Sequence, residues 1–345
     1  METCRTALIT HDGEVVCTER TMPELHDGEV LVKVRCSLIS PGTETALIRE
    51  RRARPAAPGD DTGFGYSTAG EIVAIKGDPR GLKVGMRVAG MGGGADHSEW
   101  NRIPVNLAVP IPDGVSFEEA AFASLAATSL HAVRRTEVGL GEYGMVLGLG
   151  IVGNLAAQLY TLSGARTLAW EPSAGRREIA AACGIKSIGF SGDEAAKASR
   201  EFAAPYGMDF ALMAFGGNGE AAFAALSQAM KRSADGHLIG RVVVVGGCTF
   251  PFSGGAATGN LDVRCSARTG AGYHDGRWEH GDDYPEGFVQ FTSQRNAREL
   301  LRLIAEKRLL VKPLITHRMK LENVSDAVEL LLTRPDRALG IILEM

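Results

Sequence analysis

The run of residues 144–154, GMVLGLGIVGN, constrains the fold of this chain more than any other segment. It starts with an apolar stretch that predicts a short buried strand, and an apolar helical pattern follows its last residue. Between the two, Gly148, Gly150 and Gly153 form a G-x-G-x-x-G turn. The first glycine allows a tight turn, the second lets a pyrophosphate approach the backbone, and the third lets helix and strand pack closely. The motif therefore predicts a strand, turn and helix that bind a dinucleotide.

The residues around this turn extend the prediction. Ile151 and Val152 begin the helix, where free N–H groups and the positive end of the helix dipole bind phosphate. A second strand-like run ends at Glu171, where a dinucleotide fold places the carboxylate that binds the adenosine ribose hydroxyls. A carboxylate there repels a 2′-phosphate, so the sequence favours NAD(H) over NADP(H). The nearby Arg176 leaves NADP(H) open, because a basic side chain could bind that phosphate.

Composition excludes several classes of function. The formal net charge of −4 provides no basic field, so we expect no nucleic-acid partner. The six cysteines are scattered without close pairs, which is typical of reduced thiols in a cytoplasmic protein. The sequence begins without a signal-peptide pattern and contains no run of 18 apolar residues. We therefore expect a cytoplasmic protein with no membrane partner.

The pattern of predicted elements changes twice along the chain. Short strands separated by Gly, Pro and Asp turns come first and predict a barrel-like domain. Apolar strands then alternate with helices, which predicts a doubly wound parallel sheet. The alternation later breaks into a polar, aromatic stretch, and a final strand–helix–strand pattern returns to the first domain.

Within the barrel, residues 49–62 carry four arginines and two prolines and predict an exposed loop. The predicted boundaries are 1–116 and 268–345 for the discontinuous domain, 117–267 for the inserted one, and 268–293 for a substrate loop.

Five segments in family-like order resemble the medium-chain dehydrogenase/reductase superfamily, the fold of zinc alcohol dehydrogenases and quinone reductases. They are GEIV at 70–73, KVGMRV at 83–88, VPIPDGV at 109–115, GLGIVG at 148–153 and GRVVVVG at 240–246. The resemblance implies an α/β protein with a GroES-like β-barrel catalytic domain plus a Rossmann doubly wound parallel sheet. It also matches Thr128 to a threonine near the nicotinamide. Gly246 ends a predicted strand and is expected to lie against the nicotinamide ribose.

The positions that bind catalytic zinc in this superfamily hold other residues here. By resemblance, Ser40, Tyr66 and Ser124 replace a cysteine, a histidine and a cysteine or glutamate. Neutral hydroxyls cannot replace thiolate and imidazole on Zn²⁺. The four-cysteine structural zinc segment of the family is missing as well. We therefore predict that the chain binds no zinc.

Further segments are similar to a zinc-independent branch of the superfamily. They are SPGTETAL, GYSTAG, DHSEW and the tail GYHD…DYPEGFVQFTSQRN followed by VKPLITHR. The branch includes bacteriochlorophyllide-type hydroxyethyl dehydrogenases and oxidoreductases of glycan, aminocyclitol and other secondary-metabolite pathways. Its members share a scaffold rather than one substrate, so the resemblance does not name the substrate.

Without a metal, side chains must polarise the reacting oxygen and move its proton. Tyr66 is the predicted proton donor or substrate-oxygen anchor, with a packed strand tyrosine as the alternative. Thr43 matches the family's hydroxyl relay position, or is a turn residue. Glu44 orients its neighbours, acts as a base or pairs with an arginine. The His97 imidazole titrates near neutrality, which suits acid–base work, although a structural role is open.

The remaining candidates are expected to contact the substrate. Ser40 and Ser124 fill the former metal site, and the polar, aromatic tail supplies Tyr273, His274 and Tyr284. Such side chains favour a hydroxyl-rich small molecule. We therefore predict an NAD-dependent, zinc-independent alcohol dehydrogenase or ketoreductase that works as a homodimer. The alternatives are an NAD(P)H-dependent quinone or enone reductase and a non-catalytic dinucleotide-binding protein.

Overall fold

The computed structural model describes residues 2–255 and 258–345 of the chain. Two units are present, one of which is made from two separate parts of the sequence. The split unit comprises Met1–Ala127 and Thr269–Met345, and the central unit is the continuous run Thr128–Arg268. The boundary between the first part of the split unit and the central unit therefore follows residue 127, later than the boundary expected after residue 116. The substrate loop predicted over 268–293 lies almost wholly in the split unit.

The first part of the split unit is rich in strands. Their bounds are β1 Thr3–Ile9, β2 Val15–Thr21, β3 Glu29–Ile39, β4 Thr62–Gly63, β5 Ser67–Lys76, β6 Arg87–Met91, β7 Trp100–Pro104 and β8 Ala108–Pro110. Helices α1 Thr43–Ala53 and α2 Phe117–Ala120 accompany them, and α3 Ala123–Thr136 begins in this part of the chain and ends in the central unit.

Helix α1 corrects the exposed loop predicted over 49–62, because its last turn covers residues 49–53. Its side chains at Glu44, Thr45 and Ile48 are buried and hold the helix on the unit. Ile48 is the one large apolar side chain among these buried residues, so the helix has little hydrophobic periodicity. Because that periodicity is the main sequence signal of a helix, the sequence did not predict α1.

The central unit alternates strands and helices. Its elements are β9 Tyr143–Leu147, α4 Ile151–Leu162, β10 Arg166–Trp170, α5 Ala174–Ala182, β11 Ser187–Ile188, α6 Asp193–Phe202, β12 Phe210–Met213, β13 Gly217–Asn218, α7 Glu220–Ala229, β14 Ile239–Val245, β15 Cys248–Thr249 and β16 Asn260–Ser266. The parallel sheet has the order β11-β10-β9-β12-β14-β16. Numbered along the chain, this is the 3-2-1-4-5-6 order of a Rossmann fold. Its order reverses between β9 and β12, and ligands bind at the carboxyl ends of strands at such a point.

The core of the central unit shows why a glycine opens the motif-bearing strand. A Cβ at Gly144 would lie 2.0 Å from the ring of Phe210, whose side chain is fully buried. That ring packs on Tyr160 of α4, with 4.6 Å between ring centroids. The buried Tyr160 hydroxyl is hydrogen-bonded to Thr136 at 2.6 Å. The strand can therefore pass beside two large aromatic rings that join sheet and helix.

The last part of the chain completes the split unit. It contains α8 Gly276–Glu279, α9 Ser293–Ala305, β17 Ile315–Lys320, α10 Val324–Thr333 and β18 Gly340–Glu344. Strand β18 pairs antiparallel with β3, and the larger sheet has the order β17-β18-β3-β5-β6-β8 with β7 also on β3. A smaller sheet has the order β2-β1-β4. None of the helices in the described part of the chain is both long and apolar enough to cross a membrane.

Candidate active site

The three glycines of the turn after β9 have different reasons to be glycine. Gly148 has φ +89°, a left-handed conformation that residues with a side chain rarely adopt. At Gly153 a Cβ would lie 1.9 Å from the carbonyl oxygen of Gly148. Gly150 is the N-cap of α4 with φ −61°, and a Cβ there would meet no protein atom within 4 Å. The fold itself requires the first and third glycines, whereas the space at the second is open to a ligand.

Glu171 follows β10 and is buried beside this turn, with 2% of its surface exposed. Its Oε2 accepts the N–H of Leu149 at 2.7 Å, and its Oε1 accepts the N–H of Ser173 at 2.9 Å. These bonds fix the carboxylate on the glycine turn, and each oxygen keeps a lone pair for a hydroxyl donor. Arg176 lies in the first turn of α5, and its neighbour Arg177 donates to the Glu171 carbonyl at 2.7 Å.

The other predicted cofactor residues also lie in the central unit. Ile151 is buried in the first turn of α4, and the carbonyl of Val152 accepts a hydrogen bond from the Ser129 hydroxyl at 3.0 Å. This bond fixes α3, which carries the half-buried Thr128, to the start of α4. Gly246 follows β14 with φ +103°, and a Cβ there would lie 3.1 Å from the Phe215 carbonyl oxygen.

A cluster of hydroxyls and one carboxylate lies in the split unit, where β3 ends and α1 begins. We call Ser40, Thr43, Glu44 and Tyr66 the hydroxyl cluster. Burial and the charge of Glu44 raise the pKa of the Tyr66 phenol, while the facing hydroxyls of Ser40 and Thr43 lower it less. The phenol is therefore protonated at neutral pH and can donate a hydrogen bond to a carbonyl oxygen.

The Glu44 carboxylate is held from two sides behind this phenol. The N–H of Ser40 donates to its Oε2, and His97 Nε2 lies 3.1 Å from its Oε1. His97 Nδ1 in turn lies 2.7 Å from the hydroxyl of Ser37 on β3. His97 has 0% of its surface exposed. With both ring nitrogens engaged and no exposed surface, His97 is enclosed between Glu44 and Ser37.

The residues that match the superfamily's zinc ligands by resemblance do not offer a suitable donor set. Ser40 and Tyr66 present neutral hydroxyls, and Ser124 is buried in the first turn of α3. Ser67, next to the tyrosine, donates to the Ala121 carbonyl at 2.6 Å and so joins β5 to the C-terminal end of α2. Over residues 2–255 and 258–345, no group of three His, Cys, Asp or Glu side chains is placed to hold a metal ion. The donor chemistry therefore does not fit Zn²⁺.

The three predicted tail residues have different surroundings. Tyr273 packs on the backbone next to Tyr66: a Cβ at Gly92 would lie 2.9 Å from its ring, and the Gly92 N–H donates to the Tyr66 carbonyl at 3.0 Å. His274 is exposed, with φ +68°. Tyr284 donates to Asp275 at 2.8 Å. Of the three, Tyr273 is the one associated with the hydroxyl cluster, and Tyr284 braces its own loop.

Sequence reasoning missed two polar groups around the histidine. Ser37 is fully buried on β3, and Asp96 is half-buried at the position before His97. Burial raises the pKa of the Asp96 carboxyl, while the His97 charge lowers it less. The signal for Ser37 was a polar residue within a strand of buried apolar neighbours, and the signal for Asp96 was the adjacent Asp–His pair.

Comparisons with known proteins give the fold and a set of partial relatives. No protein-family model matches the chain. It is 34% identical over 95 residues to 2-dehydro-3-deoxy-L-galactonate 5-dehydrogenase of Pseudoalteromonas atlantica, covering 28% of each chain. It is 27% identical over 205 residues to L-galactonate-5-dehydrogenase of Escherichia coli, covering 52% of this chain and 59% of that one. The chain thus spans less than two thirds of these curated relatives.

The structural comparison covers the whole chain. An alcohol dehydrogenase from Thermus sp. ATN1 superposes with a TM-score of 0.77 and 21% identity, over 99% of both chains. The matches confirm the predicted fold class, a GroES-like β-barrel domain plus a Rossmann parallel sheet.

Proposed function

We propose that this chain is a zinc-independent, NAD(H)-dependent dehydrogenase or ketoreductase that interconverts a secondary alcohol and a ketone on a hydroxyl-rich small molecule. The observation that carries the proposal is the protonated Tyr66 phenol, which faces the hydroxyls of Ser40 and Thr43. By resemblance, this tyrosine stands where zinc-dependent members of the superfamily hold a zinc ligand. A neutral phenol supplies the hydrogen bond that a metal would otherwise supply to the substrate oxygen.

The central unit supports the dinucleotide part of the proposal. The open space at Gly150 suits a pyrophosphate, and the fixed carboxylate of Glu171 suits the ribose hydroxyls. When bound, the nicotinamide supplies or accepts the hydride. Because Glu171 carries a negative charge where a 2′-phosphate would lie, we propose NAD(H) as the cofactor rather than NADP(H).

The split unit supports the proton part. In ketone reduction the Tyr66 phenol donates its proton to the substrate oxygen, and the exposed Thr43 hydroxyl at the start of α1 relays a proton from water that restores the phenol. In alcohol oxidation the relay runs in reverse: the phenol proton leaves through Thr43 to water and the phenolate takes the proton of the alcohol. Glu44 holds the loop that carries Ser40, and His97 holds Glu44. We therefore assign Tyr66 and Thr43 as catalytic residues and Glu44 and His97 as positioning residues.

The substrate class and assembly are parts of the same proposal. The two curated relatives act, by name, on galactonate compounds, and the hydroxyl cluster suits a substrate with several hydroxyl groups. Within the described part of the chain, strand β16 pairs with β14 alone and so lies at an edge of its sheet. An unpaired edge can add a second copy of itself, which supports a homodimer. We propose that this dimer works in the cytoplasm.

A panel assay tests the chemistry. Purified protein with NAD⁺ and sugar acids, polyols and cyclitols is compared with NADH and a set of quinones and enones. Alcohol oxidation that falls at least about 100-fold in Tyr66→Phe supports the proposal. Turnover restricted to the enones would favour the C=C reductase, because that chemistry also proceeds without zinc. Tight NADH binding with no turnover in either panel would favour a non-catalytic dinucleotide-binding protein.

Metal removal tests the zinc-independent part separately. We expect well under one zinc per chain by elemental analysis and unchanged turnover after dialysis against a chelator. Stoichiometric zinc whose removal abolishes turnover would contradict the proposed role of the hydroxyl cluster while leaving the dinucleotide part intact.

A further inference from the structure

A second tyrosine, Tyr273 of the tail loop (residues 268–293), packs against the backbone that carries Tyr66. The N–H of Gly92 donates to the Tyr66 carbonyl at 3.0 Å, and Gly92 has φ +75°. A Cβ at Gly92 would lie 2.9 Å from Cε2 of Tyr273 and 3.3 Å from its Cζ, the carbon that bears the hydroxyl. A side chain at position 92 would therefore displace this ring from its place beside Tyr66.

The two phenols also interact electrostatically. Burial and the charge of Glu44 are the larger causes that raise the pKa of the Tyr66 phenol, and the Tyr273 phenol raises it further. This effect requires the two hydroxyls to lie within the range of a Coulomb interaction in a poorly solvated region. Tyr273 is half-buried, so its ring is packed on the protein while part of its surface is open to a ligand.

The backbone on both sides of Tyr273 has a left-handed conformation. Gly272 has φ +90°, and a Cβ there would lie 2.4 Å from the ring of the buried Trp278. His274 has φ +68°, which residues with a side chain rarely adopt. Unfavourable backbone of this kind persists only where the surrounding structure imposes it, and it is concentrated at active sites and ligand sites. The left-handed His274 therefore points to a function for the side chain next to it.

Contacts at both ends of this segment impose its conformation. The His274 N–H donates to Glu279 Oε1 at 2.7 Å. On the other side, the Ser293 N–H donates to the Ala271 carbonyl at 2.8 Å. Because the chain itself supplies these contacts, the Tyr273 ring is in position before a substrate binds, as a specificity-determining side chain needs to be.

We propose that Tyr273 determines specificity, because its hydroxyl bonds to a substrate hydroxyl on the carbon next to the reacting one. The inference rests on the proposed function, since Tyr66 fixes where the reacting oxygen lies. A phenol can both donate a hydrogen bond to a hydroxyl and accept one from it. A hydroxyl on the neighbouring carbon comes nearest to a phenol that adjoins Tyr66, whereas a hydroxyl across a ring faces another part of the site. The preferred substrates are therefore 1,2-diols and the matching 2-hydroxyketones.

Matched cyclohexane alcohols test the proposal. Cyclohexanol, each isomer of 1,2-cyclohexanediol, and 1,4-cyclohexanediol share one ring and differ in the presence and place of a second hydroxyl. With NAD⁺, we expect the better 1,2-diol isomer to exceed the other two alcohols at least about tenfold in kcat/KM. Tyr273→Phe keeps the ring against Gly92 and removes the hydroxyl. It should lower kcat/KM for the 1,2-diol at least about tenfold and that for cyclohexanol by less than about twofold.

Tyr284→Phe is the matched control, because it removes a phenol from the same tail loop whose hydroxyl donates to Asp275. Its preference for the 1,2-diol should equal that of the parent, and circular dichroism checks that each variant is folded. A parent without the preference, an unchanged preference in Tyr273→Phe, or an equal loss in Tyr273→Phe and Tyr284→Phe would each overturn the inference.

Calorimetric titration of the same alcohols into the chain with NADH separates this inference from the proposed function, because NADH cannot oxidise an alcohol. Tighter binding of the 1,2-diol that depends on Tyr273, without turnover of these alcohols or of the polyol panel, would contradict the proposed function and support the inference. Turnover without any preference that depends on Tyr273 would overturn the inference and leave the proposed function intact. Neither binding nor turnover of any of these compounds would overturn both.

Discussion

Replacing Gly150 by alanine should separate ligand binding from folding. A Cβ at this position meets no protein atom within 4 Å, and φ −61° is open to alanine. Alanine gains about 0.4–1 kcal/mol by restricting the unfolded chain and loses about 0.5–1 kcal/mol as an N-cap, where glycine is preferred to alanine. The free energy of unfolding without ligand should therefore change by no more than about 0.5 kcal/mol.

The same alanine should remove most of the stabilisation that the dinucleotide gives. NAD⁺ at 100 times its Kd adds about 2.7 kcal/mol to the parent chain. If the Cβ collides with the pyrophosphate and weakens binding 100-fold, the same NAD⁺ concentration adds only about 0.4 kcal/mol to Gly150→Ala. Urea unfolding with and without NAD⁺ measures both quantities, and calorimetry measures the Kd directly.

Gly153→Ala is the contrasting variant in the same turn. Its Cβ would lie 1.9 Å from the Gly148 carbonyl oxygen, so the unliganded fold should lose about 3 kcal/mol. Gly150→Ala with the full NAD⁺ stabilisation would show that the pyrophosphate does not pass this residue. If Gly150→Ala unfolds without ligand, the claim that a Cβ at this position meets no protein atom is wrong.

Three further variants test single groups. Tyr66→Phe should stay folded and lose about 100-fold in kcat for ketone reduction, and steady-state kinetics with an unchanged kcat would exclude the phenol as proton donor. Glu171→Ala should weaken NAD⁺ binding about tenfold and narrow the discrimination against NADP⁺, measured by titrating both. Folding raises the pKa of the Asp96 carboxyl, so its ionised form destabilises the folded state. This destabilisation is complete above the folded-state pKa and becomes smaller as the pH falls through that value. Asp96→Asn should therefore be more stable than the parent at pH 7 with a smaller gain at acidic pH, and a less stable variant at pH 7 in urea unfolding would contradict this.

The central unit was largely predictable, because buried parallel strands are continuous apolar runs between glycine turns. Strand β10 ends at Trp170, one residue before the predicted end of the second strand-like run, and helix α4 begins at Ile151 as predicted. Strand β16 was not predicted, because it is an edge strand with Asp262 and Arg264 on partly exposed positions. Those two side chains form an ion pair with each other. Such alternation of polar and apolar residues is typical of a half-buried strand and differs from the continuous apolar runs that predicted the other strands of this sheet.

The individual residues of the hydroxyl cluster were predicted from the resemblance to a family, but their contacts were not. That resemblance drew attention to Tyr66, Thr43 and Ser40 one position at a time. It could not show that His97 is enclosed between Glu44 and Ser37, because 53 and 60 residues separate these partners in sequence. Their contact depends on how β3 and the segment before β7 are arranged in three dimensions, which local patterns do not encode.

The pairing of β18 with β3 sets the order in which the polypeptide can mature during synthesis. Ile341 lies opposite Ile39, so the larger sheet of the split unit stays open until the last strand leaves the ribosome. The central unit is one continuous run and can close earlier, whereas residues 36–39 at the end of β3 lack their β18 neighbour until the last strand is made. A nascent chain arrested before β18 should accordingly protect the Rossmann sheet from proteolysis and leave the end of β3 open to cleavage and to capture by chaperones.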